Sequence, residues 1–277
     1  MPIRLIALDL DGTLLNSQHE IPPANREAIQ AAAARGIEIV IVTGRRFYSA
    51  RPFVEQLAEV ATVISSNGAR IGTMAGTTHY LNPLPQQAAQ KVVETAHEYR
   101  GYAVVIFDQP GRGQLLMSNE AVPSGPLGWY TRNGVDGVLQ VPELAPAITT
   151  DPLQIMFGGP QEEIEPIGNI LESSAVRPFY HLTWTKYLAR NFSLLDVMNR
   201  GCSKGIALAY WARRRNIRPQ EIMAIGDNLN DREMLEFAGQ PVLMANHNFD
   251  PIPDGWAVTL SNDADGVAAA LRRYAQG

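Results

Sequence analysis

The sequence predicts an α/β protein in which helices cover both faces of a parallel sheet. Near both ends of the chain, short uninterrupted apolar runs alternate with segments of helical periodicity. Strands that are buried on both faces have this continuous apolar character. Polar clusters directly follow several of the runs, at the edge of the sheet where open α/β folds bind ligands.

The first block of this pattern extends to about residue 66. We predict strands over Ile3–Leu8, Ile37–Val42 and Thr62–Ser65, and helices over about Pro23–Arg35 and Phe47–Leu57. Gly36 is placed to end the first helix, because glycine readily adopts the left-handed conformation found at helix ends.

The same pattern returns late in the chain. The predicted elements are helices over about Lys204–Arg215, Asp231–Phe237 and Asp265–Tyr274, and strands over Ile222–Ile225 and Val242–Met244. The two blocks therefore predict one Rossmann-like core domain, formed by residues 1–83 and 191–277.

The intervening residues 84–190 are richer in proline and glycine and predict an inserted α+β cap domain. Their predicted elements are helices over Gln86–Tyr99 and Glu162–Ser173 and strands over Tyr102–Phe107 and Leu153–Phe157. The candidate hinges are Asn82-Pro83 and the stretch around Asn191.

Composition excludes several classes of protein. The net charge of -5 over 277 residues argues against general binding to nucleic acid, which needs clustered Lys and Arg. Cys202 is the only cysteine, so no intrachain disulfide forms and a reducing compartment is expected. With no signal-peptide pattern and no membrane-spanning apolar stretch, we expect a cytoplasmic monomer or small homo-oligomer.

Two acids follow the first predicted strand in the segment Asp9-Leu10-Asp11-Gly12-Thr13. Residues two apart in an extended chain share a face, so Asp9 and Asp11 can address one ligand. Gly12 lets the backbone bend away from the strand. The two carboxylates repel each other unless a cation is bound, and hard oxygen ligands suit Mg²⁺.

Thr43-Gly44-Arg45 follows the second predicted strand. The Thr43 hydroxyl either holds a phosphate oxygen or caps the next helix, and this triplet alone favours neither role. Ser203-Lys204-Gly205 opens a helix, where an ammonium group and backbone amides can meet an anion. The alternative for Lys204 is a solvated surface side chain.

The segment Gly226-Asp227-Asn228-Leu229-Asn230-Asp231 places two acids and two amides after a late strand. A helix-loop-helix calcium site is excluded, since Leu229 and Arg232 stand where that site needs an oxygen ligand and a glycine. A plain turn rich in Asp and Asn is the remaining alternative to a ligand site.

Taken in order, these segments resemble the four motifs of the haloacid dehalogenase superfamily of phosphohydrolases. The matching residues are Asp9 to Thr13, Thr43, Lys204, and Gly226 to Asp231. Three further segments resemble the Cof-type sugar-phosphatase branch, whose cap is inserted between the second and third motifs. They are Ser66-Asn67-Gly68-Ala69, Ser203-Lys204-Gly205 and Ser261-Asn262-Asp263-Ala264-Asp265-Gly266-Val267.

The resemblance implies that Asp9 is a nucleophile that forms an aspartyl-phosphate. It also implies that Mg²⁺ is bound by Asp9, the backbone carbonyl of Asp11, and Asp227. Asp11 would give a proton to the leaving alcohol and then take one from the water that hydrolyses the intermediate.

The remaining candidates concern the phosphate and its surroundings. Thr43, Gly44, Lys204 and Asn230 are expected to hold the phosphate. The resemblance further implies that Asn230 and Asp231 position Lys204, the phosphate or a metal-bound water. Arg45 and Asn67 are expected either to reach the substrate or the closed cap or to be structural.

The sequence thus predicts a magnesium-dependent phosphatase for a small phosphorylated metabolite, with a sugar phosphate as first choice. A phosphomutase would use the same intermediate, and a sensor would bind the metabolite without hydrolysis. A phospho-acceptor signalling domain is a weaker alternative, because it needs neither an acid-base Asp11 nor an inserted cap. A P-loop kinase is disfavoured, because no glycine-rich loop ends in Gly-Lys-Ser or Gly-Lys-Thr.

Overall fold

The chain forms two compact units in a computed structural model that describes residues 2–121, 127–128 and 137–275. The first unit comprises Met1–Leu81 and Ser203–Gly277, and the second comprises Asn82–Cys202. The second unit is therefore an insertion into the first.

The strands, in chain order, are β1 (Leu5–Leu8), β2 (Glu38–Val42), β3 (Thr62–Ser65), β4 (Arg70–Thr73), β5 (Thr78–Leu81), β6 (Ala103–Ile106), β7 (Leu115–Ser118), β8 (Val138–Val141), β9 (Gln154–Pro160), β10 (Tyr180–Tyr187), β11 (Phe192–Asn199), β12 (Ile222–Gly226), β13 (Gln240–Leu243) and β14 (Ala257–Val258). The α-helices with described bounds are α1 (Pro23–Ala34), α2 (Phe47–Val54), α3 (Gln86–Thr95), α4 (Leu144–Ala147), α5 (Gln161–Glu172), α6 (Lys204–Arg214), α7 (Arg232–Phe237) and α8 (Gly266–Tyr274).

The first unit is built on an eight-stranded sheet in the order β14-β13-β12-β1-β2-β3-β4-β5. All pairs from β14 to β3 are parallel, whereas β4 and β5 join antiparallel at one edge. The predicted Rossmann-like parallel core is confirmed, with this antiparallel extension added. The carboxyl ends of β1, β2, β3 and β12 consequently lie side by side.

Alternate residues of the central strands enter two different hydrophobic clusters. Ile6 and Leu8 pack with apolar residues of α1, α2 and α8, while Leu5 and Ala7 pack with those of α6 and α7. Because successive side chains of a strand point to opposite faces, the two clusters occupy the two faces of the sheet. Helices therefore cover both faces, as the continuous apolar runs predict.

The second unit has a six-stranded sheet in the order β10-β11-β9-β6-β7-β8, antiparallel except for the pair β7 and β8. Helices α3, α4 and α5 contribute apolar side chains to one cluster with this sheet. The insertion is therefore an α+β unit with its own core.

The segment around Asn191 was predicted to be a hinge, and this prediction is wrong. Asn191 has a left-handed backbone (φ 44°) in the connection between β10 and β11, which pair along their full length from Tyr187↔Phe192 to Tyr180↔Asn199. The second unit extends to Cys202 rather than ending at residue 190, because β11 also pairs with β9. The other candidate hinge, Asn82-Pro83, lies at the first boundary between the units.

Cys202 is a buried free cysteine. None of the helices among the described residues is long and apolar enough to cross a membrane.

We expect Phe157→Ala to destabilise the second unit by about 3 to 5 kcal/mol, because it removes a fully buried ring and leaves a cavity. Chemical unfolding monitored by circular dichroism measures this change. Phe179→Ala is the matched control, since that ring is 59% exposed and its loss should change the free energy of unfolding by less than about 0.5 kcal/mol. Equal effects of the two substitutions would contradict the described core.

Candidate active site

The parallel register of β1 and β12 brings the first and last acidic segments together. Leu8 is paired with Ile225, and the backbone N–H of Asp9 donates to the Ile225 carbonyl at 3.1 Å. The two chains then leave the sheet side by side. Asp9 and Asp227 are thereby placed next to each other although they are far apart in sequence.

Three buried carboxylates converge at this point. Asp9, Asp227 and Asp231 each offer an oxygen that lies within 4.8 Å of the other two. All three residues are at most 5% exposed. Such a concentration of negative charge away from water requires compensating positive charge.

Lys204 supplies part of that charge from the N-terminus of α6. Its Nζ donates to Asp9 Oδ1 and to Asp231 Oδ1, both at 2.7 Å, and the side chain is 1% exposed. The alternative of a solvated surface lysine is therefore wrong. Ser203 caps this helix by accepting the N–H of Ile206, and its hydroxyl donates to Glu233.

The acidic cluster shifts the pKa values of its members. Burial raises the pKa of Asp9 to about 7, with Asp231 and Asp11 adding to the rise and Lys204 opposing it. Burial, Asp231 and Asp9 likewise raise the pKa of Asp227 well above its ordinary value. For Lys204, burial lowers the pKa, but Asp231 and Asp9 outweigh it and the net change is upward, so the ammonium stays charged.

Asp231 is saturated by protein contacts. Its Oδ2 accepts the backbone N–H groups of Asp227 and Asn228, both at 3.0 Å, while its Oδ1 accepts from Lys204. A Cβ atom at Gly226 would collide with the Asp231 carboxylate, so this turn requires glycine. Asp231 therefore shapes the loop and orients Lys204.

The turn after Asp9 is in direct contact with Asp227. The Thr13 hydroxyl donates to Asp227 Oδ1 at 2.8 Å. Gly12 has φ +79° and lies so close to Asp227 that a Cβ atom would overlap its carboxylate. This position therefore requires glycine on both conformational and steric grounds.

Asp11 pairs with an arginine and is not a member of the carboxylate cluster. Arg45 Nε donates to Asp11 Oδ2 and Arg45 Nη2 to Asp11 Oδ1, both at 2.6 Å. Both side chains are partly exposed, at 23% and 24%. The guanidinium group also lies 4.6 Å from the centre of the Phe53 ring.

The segment after β2 presents a hydroxyl and two amides. Thr43 is buried, and its Oγ1 accepts the N–H of Arg45 at 3.1 Å. The helix-cap alternative for Thr43 is wrong, because α2 starts only at Phe47. Gly44 lies against the amides of Asn67 and Asn230, and Asn230 Nδ2 donates to Asn67 Oδ1 at 3.1 Å.

The structure thus brings the predicted site residues together in two groups. One group is Asp9, Asp227, Asp231 and Lys204, and the other is Thr43, Gly44, Asn67 and Asn230. Arg45 is engaged by Asp11, an ion pair that the sequence analysis did not predict. Asp231, predicted as a positioning residue, joins Asp9 and Asp227 in the carboxylate cluster, whereas the Asp11 side chain does not.

Sequence reasoning also missed residues that hold the Gly12–Leu15 turn. Asn246 Nδ2 donates to the Gly12 carbonyl at 2.8 Å, and Asn246 Oδ1 accepts the N–H of Asn262 at 3.0 Å. Asn262 Nδ2 in turn donates to the Leu15 carbonyl at 2.9 Å. The Ser261-Asn262-Asp263 segment was noted only as a resemblance, and these contacts give it a structural role.

Comparison with known proteins agrees with this arrangement. The sequence profile of haloacid dehalogenase-like hydrolases matches residues 6–271. Phosphatase YwpJ of Bacillus subtilis (strain 168) is 31% identical to this chain, and the match covers 98% of this chain and 99% of YwpJ. HMP-PP phosphatase of Serratia proteamaculans (strain 568) is 30% identical, and the match covers 88% of this chain and 84% of that protein. The solved structure of a haloacid dehalogenase-like hydrolase from B. subtilis superposes with a TM-score of 0.79 at 28% identity, covering 98% of this chain and 99% of that one.

The α/β core carries buried carboxylates at its strand ends, and the match over residues 6–271 identifies it as a hydrolase. The chain belongs to the haloacid dehalogenase-like hydrolase family, in its Cof-type phosphatase branch. The resemblance stated from the motifs is confirmed, as is the expectation of an enzyme that hydrolyses phosphoric monoesters.

We expect Asp9→Asn to stabilise the metal-free protein at pH 8 by at least about 2 °C in Tm, with a smaller gain at pH 5. The pKa of Asp9 is about 7 in the folded chain against an ordinary value of 3.8, so the folded state binds the extra proton between these pH values. Stability is therefore lost as the pH rises through this window, and asparagine removes that cost.

Thermal unfolding of both proteins in EDTA measures this difference. Asp254→Asn is the matched control, since Asp254 is exposed and the same substitution there should leave the Tm unchanged at both pH values. If Asp9→Asn were less stable than the wild type at pH 8, burial of the ionised Asp9 carboxylate would not be the destabilising factor described here.

Proposed function

We propose that this chain hydrolyses phosphate monoesters of small metabolites in a Mg²⁺-dependent reaction, with Asp9 as the nucleophile. The observation that carries the proposal is the buried Asp9 carboxylate, fixed by Lys204 and adjacent to Asp227. Lys204 occupies only Oδ1 of Asp9, and no described residue donates a hydrogen bond to Oδ2. That oxygen is the candidate attacking atom.

The residues present fit a hard divalent cation. Every candidate side-chain donor is a carboxylate oxygen, and three acids surround a single ammonium group, so negative charge is in excess. Since both Asp231 oxygens accept hydrogen bonds from the chain, Asp9 and Asp227 are the side chains left to bind the ion. The ion would neutralise charge on the phosphoryl oxygens.

In the first step an Asp9 oxygen attacks phosphorus, the ester P–O bond breaks, and the leaving oxygen takes a proton from Asp11. Because Arg45 engages both oxygens of Asp11, the carboxyl group must be protonated and partly released from Arg45 before it can donate. The freed guanidinium group can then meet the anionic substrate.

In the second step water attacks the phosphorus of the aspartyl-phosphate. Asp11, now ionised, takes the proton from this water, the Asp9–phosphate bond breaks, and inorganic phosphate is released. The same carboxyl group therefore serves as acid and then as base, and its protonation state is restored at the end.

Lys204, Thr43, Gly44 and Asn230 are proposed to hold the phosphoryl group. Lys204 already lies 2.7 Å from the candidate nucleophile, so it can neutralise the approach of two anions. Thr43 and Asn230 offer hydroxyl and amide groups from the segments after β2 and β12, the strands on either side of β1. These assignments follow from the chemistry of the groups and the resemblance to the family motifs.

A sugar phosphate is the proposed substrate class, with other small phosphorylated metabolites as the main alternatives. The relative from S. proteamaculans is named as an HMP-PP phosphatase, so phosphorylated compounds other than sugar phosphates belong in the panel to be tested. Phosphate release should be measured with sugar phosphates, nucleotides and phosphorylated cofactors, with and without Mg²⁺. These assays test the reaction class and the substrate together. Isomer formation without phosphate release would instead indicate a phosphomutase.

We expect Asp9→Asn to lower kcat by at least about 1,000-fold, because an amide oxygen is a poor nucleophile. Phosphate release from p-nitrophenyl phosphate with Mg²⁺ measures the loss, and mass spectrometry of quenched wild-type enzyme tests for phosphorylated Asp9. Asp254→Asn should retain full activity. Turnover in Asp9→Asn close to that of the wild type would refute the nucleophile assignment.

Asp11→Asn should separate the two half-reactions. With p-nitrophenyl phosphate the leaving group needs no proton, so enzyme phosphorylation should proceed and release about one equivalent of nitrophenolate in a burst. Steady-state turnover should then fall by about 100- to 10,000-fold, since no base activates water. Stopped-flow absorbance measures the burst, and equal losses in both phases would exclude the proposed role of Asp11.

A further inference from the structure

One motif remains without a role in the proposed chemistry, the turn Ser66-Asn67-Gly68 that follows β3. Its three residues have positive φ values of 50°, 50° and 100°. All three are buried. Serine rarely adopts this conformation and asparagine does so only somewhat more readily, so the turn persists because its surroundings hold it.

Backbone hydrogen bonds connect this turn to the segment after β2. The N–H of Ser66 donates to the Arg45 carbonyl at 2.8 Å, and the N–H of Asn67 donates to the Thr43 carbonyl at 3.0 Å. The left-handed conformation directs these two successive N–H groups to the neighbouring loop. The position of Thr43 therefore depends on the turn.

The side chain of Asn67 connects the same turn to the segment after β12. Its Oδ1 accepts from Asn230 Nδ2 at 3.1 Å, and Asn67 itself is 1% exposed. Gly44 lies beside this amide pair, and a Cβ atom there would be 3.1 Å from Asn67 Oδ1. The amide pair therefore packs directly on the backbone of the Thr43 segment.

Gly68 brings the turn against the start of α6. A Cβ atom at residue 68 would overlap the Ser203 carbonyl, so the two backbones are in direct contact. Ser203 is the cap of the helix that begins with Lys204. The turn thus touches three segments, each carrying one of the proposed phosphate-binding groups Thr43, Asn230 and Lys204.

We propose that Ser66-Asn67-Gly68 is a positioning turn that fixes the spacing of these three groups, and that Asn67 is a positioning residue acting through Asn230. The inference rests on the proposed function, because it assigns the three groups to one phosphoryl ligand. Asn67 is not a catalytic residue in this account. Its side chain orients the amide of Asn230, and its backbone orients Thr43.

A double-mutant cycle on inorganic phosphate binding tests the inference. The four proteins are the wild type, Asn67→Gly, Asn230→Ala and the double variant, titrated with phosphate in the presence of Mg²⁺ by calorimetry. Asn67→Gly suits the backbone, because glycine accepts positive φ without strain, and it removes the side-chain link to Asn230.

We expect Asn67→Gly to weaken phosphate binding by about five- to tenfold, the effect of one lost hydrogen bond to a binding group. In the Asn230→Ala background the same substitution should weaken binding by no more than about twofold, because the group through which it acts is gone. A general loss of structure would not produce this dependence on Asn230.

Asn216→Gly is the matched control. Asn216 also has a left-handed backbone, with φ 53°, but it follows the C-terminal end of α6 and accepts from Arg4 only through its backbone carbonyl. The substitution should leave phosphate affinity unchanged. Thermal unfolding of all the variants checks that each one is folded under the conditions of the titration.

Unchanged phosphate affinity in folded Asn67 variants, or losses that add fully in the double variant, would overturn the positioning role. A failure of the proposed function is distinguishable, because it would appear as a wild type that binds phosphate with Mg²⁺ but hydrolyses no phosphate ester. The cycle can still be measured in that case, since it requires binding and not turnover.

Discussion

The site depends on one electrostatic constraint, three carboxylates buried together with a single ammonium group. Asp9, Asp227 and Asp231 each offer an oxygen within 4.8 Å of the other two, and Lys204 donates to Asp9 and Asp231. Burial raises the pKa of Asp9 and of Asp227. A site with excess negative charge favours protons or a metal ion. The protein thus maintains a poorly compensated charge cluster at the place where the proposed chemistry requires a cation.

The parallel sheet makes this cluster possible. Adjacent parallel strands end at the same edge, so an acid that follows β1 and an acid that follows β12 meet without any long connection between them. Glycines at positions 12 and 226 then allow side chains to approach the backbone closely, which no larger residue would permit. The strand register and the close contacts at these glycines together determine where the carboxylates of the cluster lie.

Much of the core could be predicted from the sequence, because buried parallel strands are short apolar runs that end in recognisable polar segments. The strands of the second unit were harder. Residues such as Thr183, Thr185 and Lys186 interrupt β10 with polar side chains, and Asn191 resembles a linker residue although it forms the connection of a hairpin. Antiparallel pairing depends on partners elsewhere in the chain, which a local pattern does not reveal.

In the site, too, some features follow from the local sequence and others arise only in the folded chain. The positions of Asp9 and Asp227 follow from strand ends, which are local features. The pairing of Arg45 with Asp11 does not, because it depends on the side-chain conformations of two loops. The contact of Asn67 with Asn230 likewise joins residues whose proximity arises only in the folded sheet.

The two cations of the site differ in a way that suits two different tasks. Lys204 is almost fully buried and bonded to two fixed acids, so it cannot leave without exposing uncompensated charge in the interior. Arg45 pairs with Asp11 where both are partly exposed, and separating such a pair costs far less because water can solvate each partner. A permanent neutralising charge beside the proposed nucleophile and an exchangeable one on the proposed acid-base group are what a two-step transfer requires. The first anion must stay compensated throughout, whereas the second must gain and lose a proton in every cycle.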